Sequence, residues 1–190
     1  MESTSLLEYS NLSVEFCQKM KIAESVQALV HKVGWFYVIV TTGCFSGYSP
    51  FDPGTAGTVV AIPLYLVLAR AGWIPYLIST LILFAVGIQG AHKIETATKQ
   101  TDNGIIVIDE VVGYLVTMVF IPFHWGLIML GFVVFRGFDS LKPYPIRKFD
   151  KNPKWGGFGV MFDDVLAGVY GNLVLQMIVM VLKLSTPILD

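Results

Sequence analysis

Between Phe135 and Asp164 the chain reads FRGFDSLKPYPIRKFDKNPKWGGFGVMFDD. Arg136, Asp139, Lys142, Arg147, Lys148, Asp150, Lys151, Lys154, Asp163 and Asp164 crowd into that run, in a chain with 13 basic and 14 acidic residues altogether. Apolar segments flank it. Carboxylates and cations gathered at one edge of an oily protein suit a site for a metal and an anion better than ordinary solubilising charge. Arg136, Asp139 and Lys142 follow i, i+3, i+6 and share a helix face. A series of exposed salt bridges has the same spacing and is worth little. Lys142-Pro143-Tyr144-Pro145-Ile146-Arg147 then breaks the helix. Two prolines fix the backbone while Lys142 and Arg147 present cations. A phosphate group is the natural guest for such a pair, Arg supplying planar donors and Lys a point charge.

Three other segments carry candidate chemistry. Asp109 and Glu110 lie inside the apolar run IIVIDEVVGYLV. A carboxylate at membrane depth costs a few kcal/mol even on mild insertion scales, so it needs a partner. Asp102 suits an N-cap, and its spacing of seven from Asp109 predicts a shared face on a continuous helix. Asp163 and Asp164 are adjacent, so on a helix they point about 100° apart. One is expected to meet a site while the other caps or pairs. Gly156-Gly157-Phe158-Gly159 before them is either a flexible loop or a helix start whose N–H groups hold an anion. Turn chemistry explains Ser46, Ser49, Asp52, Pro53, Gly54, Thr55 and Thr58. As a phosphate- or hydroxyl-binding loop this segment needs the others beside it. His31, His92 and His124 share no ligand spacing and read as structural or surface residues. Cys17 and Cys44 have no metal-ligand spacing, and Cys44 reads as a buried inert thiol. A Cys-x5-Arg signature, a P-loop and a zinc motif are all absent from the sequence.

The elements that must position these residues are apolar. The 190 residues are 54% hydrophobic and 14% charged, with mean hydropathy +0.65. A soluble domain is nearer 25% charged. An all-α integral membrane protein with short and broken helices is therefore expected. The net charge of −1 predicts no nucleic-acid partner. Residues 1–33 read as a polar amphipathic extension and 34–190 as one membrane domain. Residues 34–46 are too short to span and lead into a structured loop to 58. Apolar helices are predicted over 58–70 and 73–91, broken at Ala71-Gly72-Trp73 and dented by Pro63 and Pro75. A second pair covers 105–121 and 125–135, with Pro122-Phe123-His124 at the turn, and a last helix covers 160–182. If the pairs are hairpins, Lys19, Lys21, Lys32, Lys93, Lys99 and the cations of 136–154 share one side. The positive-inside rule makes that side cytoplasmic.

The segments GCFSGYSPFDPGTAGTVVAIPLYL (43–66), DNGIIVIDEVVGY (102–114), FRGFDSLKPYPIRKFD (135–150) and GGFGVMFDDVLAGVY (156–170) resemble, in order, the motifs of the phosphatidylglycerophosphatase A family. The resemblance spans roughly 35–182. It departs modestly at Asn103, Ile108 and Lys148. It implies an all-helical, magnesium-dependent membrane lipid phosphatase that releases the terminal phosphate of phosphatidylglycerophosphate, leaving phosphatidylglycerol. It implies a bacterial cytoplasmic membrane and an active site on the cytoplasmic face. The matching polar residues are Asp102, Asp109, Glu110, Arg136, Asp139, Lys142, Arg147, Asp163 and Asp164.

A phosphomonoester carries about two negative charges, which hydrolysis must neutralise. Mg2+ prefers oxygen ligands and keeps waters. The expected metal set is Asp102, Asp109, Glu110 and Asp163, with Asp139 an alternative to Asp163. The expected phosphate holders are Arg136, Lys142 and Arg147. Asp109, Glu110, Asp139, Asp163 and Asp164 form the catalytic set, and the nucleophile is either metal-activated water or an Asp carboxylate. The rival readings are a small transporter built on intramembrane carboxylates and a non-catalytic membrane assembly factor.

Overall fold

A computed structural model describes residues 22–50, 52–101, 103–149 and 155–182. Every regular element among them is helical. The α-helices are α1 (22–33), α2 (Trp35–Thr41), α3 (Pro53–Ala71), α4 (Trp73–Thr98), α5 (Ile108–Thr117), α6 (Trp125–Leu141) and α7 (Gly156–Val181), with single 3-10 turns at Ser46–Tyr48 and Ile146–Lys148. α3, α4 and α7 are long and apolar enough to cross a membrane. The chain is an all-helical membrane protein.

The helices differ from the sequence expectation at their ends. α3 starts at Pro53, five residues before the predicted 58, because Asp52 caps it and Pro is favoured in the first turn. Pro63 leaves α3 unbroken, and Pro75 falls in the first turn of α4, where its missing N–H costs nothing. α4 continues through the polar run as far as Thr98. Residues 103–107 are not helical and α5 begins at Ile108, so the continuous helix expected to carry Asp102 and Asp109 on one face does not form. Asp102 itself, like Cys17, Asp150, Lys151 and Lys154, lies outside the described residues.

α5 is the element on which the site depends. Its ten residues extend about 15 Å, half of a hydrocarbon core of about 30 Å. It cannot span, and both of its ends need internal partners. Buried residues occupy nearly every side of it, the polar ones Asp109 and Thr117 included, as in a helix enclosed by others. α3, α4, α6 and α7 surround it. At the first end, Val107 N–H donates to Thr41 O (2.9 Å), and Asn103 receives Ile106 N–H and Ile105 N–H. At the other end, Asn172 Nδ2 donates to Thr117 O (2.9 Å) and Val119 O (2.8 Å), and Gln176 Nε2 donates to Val119 O (3.2 Å). Two polar side chains of α7 thus satisfy carbonyls that a short helix would otherwise leave bare in an apolar interior.

Aromatic packing fixes the middle layer. Tyr65 meets Tyr76 and Tyr114 edge to face, each at 6.2 Å. Tyr76 Oη donates to Leu115 O (2.6 Å) and Tyr114 Oη to Ile128 O (3.1 Å), so those two hydroxyls are paired. Trp73, Phe120, Phe123 and Trp125 are exposed around the 118–124 turn, as in an aromatic belt at a membrane interface. His124 Nδ1 accepts from Gly126 N–H and caps α6, and His31 and His92 are exposed. Cys44 is exposed rather than buried, because the chain turns through left-handed conformations at Gly43, Cys44 and Phe45 on leaving α2.

Candidate functional site

Four elements converge on a polar cleft of about 640 Å³. The start of α3 brings Asp52, Pro53 and Gly54. The residues before α5 and its first turn bring Gly104, Ile106, Asp109 and Glu110. The end of α6 and the turn after it bring Arg136, Asp139, Ser140, Leu141, Lys142 and Arg147, and α7 brings Asp163 and Asp164. Each segment lies at the same end of the helix bundle.

Asp109, Glu110 and Asp164 form the floor. One oxygen from each lies within 4.8 Å of the others. Asp109 and Asp164 are buried, and Glu110 Oε2 is a buried atom without a hydrogen-bond partner. Three carboxylates this close repel when ionised, and burial removes the water that would screen them. An oxygen-rich, dry set with an orphaned acceptor fits a hard cation such as Mg2+. Gly54 belongs to this fit. A Cβ built there would stand 2.5 Å from Glu110 Oε1 and 2.8 Å from Arg136 Nη1, so any side chain at this position would displace those two site groups.

The two adjacent α7 carboxylates take different partners, as their angular separation requires. Asp164 joins the buried trio. Asp163 Oδ2 instead accepts from Lys142 Nζ at 2.6 Å. Asp163 is expected from sequence in the metal set; the structure groups Asp164 with Asp109 and Glu110 and pairs Asp163 with Lys142, because the rotation of about 100° between neighbours turns the two carboxylates to different partners.

The cations form the wall. Arg136 Nη1 donates to Asp139 Oδ2 (2.6 Å) and Nη2 to Asp52 Oδ2 (2.9 Å). Lys142 Nζ also lies 3.9 Å from Asp139 Oδ1, so Asp139 bridges two cations. Lys142 caps α6 in a left-handed conformation (φ 40°), held by its N–H on Phe138 O (2.8 Å), which turns its side chain back over the helix end. Ile146, fully buried, pins the turn that carries Arg147. Arg147 is the cleft cation with no carboxylate partner among the described residues. Asp52 accepts from Thr55 N–H (3.1 Å) and Thr55 Oγ1. Those bonds, led by the Thr55 hydroxyl and aided by the Arg136 charge, hold its carboxyl below the usual range.

The family profile of phosphatidylglycerophosphatase A matches residues 39–179. The chain belongs to the phosphatidylglycerophosphatase A family. It is an enzyme, a lipid phosphatase. The Phosphatidylglycerophosphatase A of Escherichia coli strain K12 is 36% identical over 141 residues, covering 74% of this chain and 81% of that protein. The protein of the same name from Haemophilus influenzae is 38% identical over 141 residues, 72% of this chain and 84% of its own. A putative phosphatidylinositol-3-phosphatase of Bacteroides thetaiotaomicron is 40% identical over 148 residues, 73% of this chain and 90% of its own. No solved structure matches the chain.

Within this phosphatidylglycerophosphatase A fold, Asp109, Glu110, Arg136, Asp139, Lys142, Arg147, Asp163 and Asp164 all line one cleft. Ser46, Thr58 and the glycines of 156–159 do not. Thr58 Oγ1 donates to Gly54 O within α3 and Ser46 Oγ to Thr42 O. Gly157 packs on the α4 backbone, where a Cβ would meet Ile88 O at 2.5 Å, so this run serves helix packing. The sequence candidates omitted Ser140 and offered Asp52 as part of a turn, or of a phosphate- or hydroxyl-binding loop, without its partner. Its signal was the N-cap pattern ahead of Pro53, but its partner Arg136 lies 84 positions away.

Proposed function

We propose that the protein hydrolyses the terminal phosphate of phosphatidylglycerophosphate, with Mg2+ held by Asp109, Glu110 and Asp164. The observation that carries this reading is a buried, under-partnered trio of carboxylates beneath a wall of cations, at one end of a membrane bundle. Bound Mg2+ would supply positive charge that polarises the phosphate and lowers the cost of the transition state. Arg147 meets the phosphate first, since its donors are uncommitted. Arg136 and Lys142 flank it, oriented by Asp139, Asp52 and Asp163. Their fixed positions supply charge where it develops, at little reorganisation cost. The acyl chains stay in the bilayer. Lys32, Lys93, Lys99, Lys142, Arg147 and Lys148 support a cytoplasmic orientation of this end in a bacterial inner membrane.

Purified protein in detergent should release phosphate from phosphatidylglycerophosphate with Mg2+ and stop in excess chelator. Full turnover in chelator would sink the metal assignment. The Bacteroides relative's name makes phosphatidylinositol 3-phosphate the second substrate to offer. Faster release from that lipid would move the substrate assignment, and release from neither would favour the transporter or assembly readings.

Arg147→Lys should lower kcat/KM about tenfold despite the retained charge, because lysine cannot bind two phosphate oxygens at once. Attraction to anionic lipid alone, about 1 kcal/mol per cation, predicts no difference between Arg and Lys. Phosphate release by Arg147→Lys and Arg147→Ala at two salt concentrations separates the cases. Equal activity of Arg147→Lys and the unmodified protein would remove Arg147 from the site.

A further inference from the structure

We infer that Asp52 and Ser140 recognise a hydroxyl on the substrate's headgroup, next to the phosphate-bearing carbon, and so select polyol phosphates over simple phosphatidate. The inference rests on the lipid phosphatase reading above and deepens it. Arg136 is the reference point. Asp52 abuts it from α3 through Oδ2, 2.9 Å from Nη2. Ser140 follows Arg136 by four residues on α6, so the two side chains are neighbours on one helix face. Both residues line the cleft. A phosphate on Arg136 would therefore have a carboxylate and a hydroxyl on its flanks.

The two flanking groups have unused hydrogen-bonding capacity. All the bonds of the Asp52 carboxylate, to Thr55 N–H, Thr55 Oγ1 and Arg136 Nη2, fall on Oδ2. Oδ1 has none among the described residues. The side chain is 58% exposed, at the rim and not the floor. The Thr55 and Arg136 contacts also keep it ionised, hence an acceptor only. An acceptor beside a phosphate site repels the phosphate itself. It suits a donor that the headgroup brings with it, and a hydroxyl one carbon from the ester is within reach. Ser140 Oγ can donate or accept, which completes the pairing of a hydroxyl that does both. Sites built to hydrogen-bond a substrate hydroxyl discriminate strongly against the analogue without it.

The test compares phosphatidylglycerophosphate with phosphatidyl-1,3-propanediol phosphate, which lacks only that hydroxyl, and with phosphatidate. Unmodified protein, Asp52→Asn and Ser140→Ala are assayed in the same micelles with Mg2+. Asparagine retains an oxygen to cap α3 but can place an N–H where Oδ1 stood. The unmodified protein should prefer the hydroxylated lipid by kcat/KM at least tenfold, the scale of a hydrogen bond to a charged group. Asp52→Asn should lower that preference roughly tenfold, and Ser140→Ala by about threefold. Activity on the propanediol lipid should change far less in Ser140→Ala, whereas Asp52→Asn, which also loosens Arg136, should lose activity on both lipids and more on the hydroxylated one. Turnover with the same preference in both variants overturns the inference and leaves the phosphatase reading intact. If Asp52→Asn does not fold, an unchanged preference in Ser140→Ala overturns it alone. Absence of turnover by the unmodified protein on every lipid overturns both.

Discussion

Asp164→Asn is expected to lower Mg2+-dependent phosphate release by more than about a hundredfold, the upper end of the loss when a metal site loses an outer partner. The change keeps the shape and removes one of three carboxylates whose oxygens lie within 4.8 Å. Asp163→Asn should behave differently, although it is the adjacent residue. Its carboxylate holds Lys142 Nζ at 2.6 Å, so its loss loosens a cation of the wall that Asp139 still contacts and leaves the floor intact. The Mg2+ concentration for half-activation should therefore rise for Asp164→Asn and stay near its original value for Asp163→Asn, whose effect should be on KM for lipid. Melting in detergent with chelator adds a second readout. With one fewer buried charge to repel the others, Asp164→Asn should melt no lower than the unmodified protein. A normal Mg2+ response in Asp164→Asn, with a shifted one in Asp163→Asn, would reverse the two placements.

Gly168→Val should abolish activity through the scaffold. A Cβ at Gly168 would stand 2.4 Å from Gly113 O and 3.1 Å from Val116 Cβ. The nearest obstacle is backbone, so no rotamer change relieves the clash and α5 must part from α7. Overpacking of this kind costs typically about 1–3 kcal/mol. Here it also separates Asp109 and Glu110 on α5 from Asp164 on α7, so activity should fall further than stability. Thermal melting and phosphate release measured on the same sample check both. Gly137→Ala is the control: nothing lies within 4 Å of its Cβ position. In a helix interior it should be neutral or stabilise by up to about 1 kcal/mol. A Gly168→Val protein that melts and works like the unmodified one would mean that the α5–α7 crossing has room for a side chain.

The helical membrane class was legible because it depends on composition, which the sequence states directly. So was the grouping of Arg136, Asp139 and Lys142, since their spacing acts within one helix and the structure pairs them through Asp139. The break after Leu141 followed from Pro143, whose ring excludes helix whatever surrounds it. Asp109 and Glu110 stood out because apolar neighbours on both sides make an unpartnered carboxylate too costly to keep.

What the tertiary structure decided is which atoms meet. Spacing shows that Asp163 and Asp164 diverge, but not which faces inward. That choice came from the rotation of α7, set where Gly168 lies on Gly113 and Gly157 on the α4 backbone. Helix propensity gave no notice that residues 103–107 would stay unwound. Their N–H groups found Asn103 within the same turn and Thr41, a partner that only packing supplies. The role of Asp52 was hidden for the same reason. Its cap on α3 is local and readable, while its hold on Arg136 spans 84 positions of chain. Local chemistry thus determined which residues were equipped for phosphate and metal. The close helix crossings, where glycine lets backbones touch, determined which of them share one cleft.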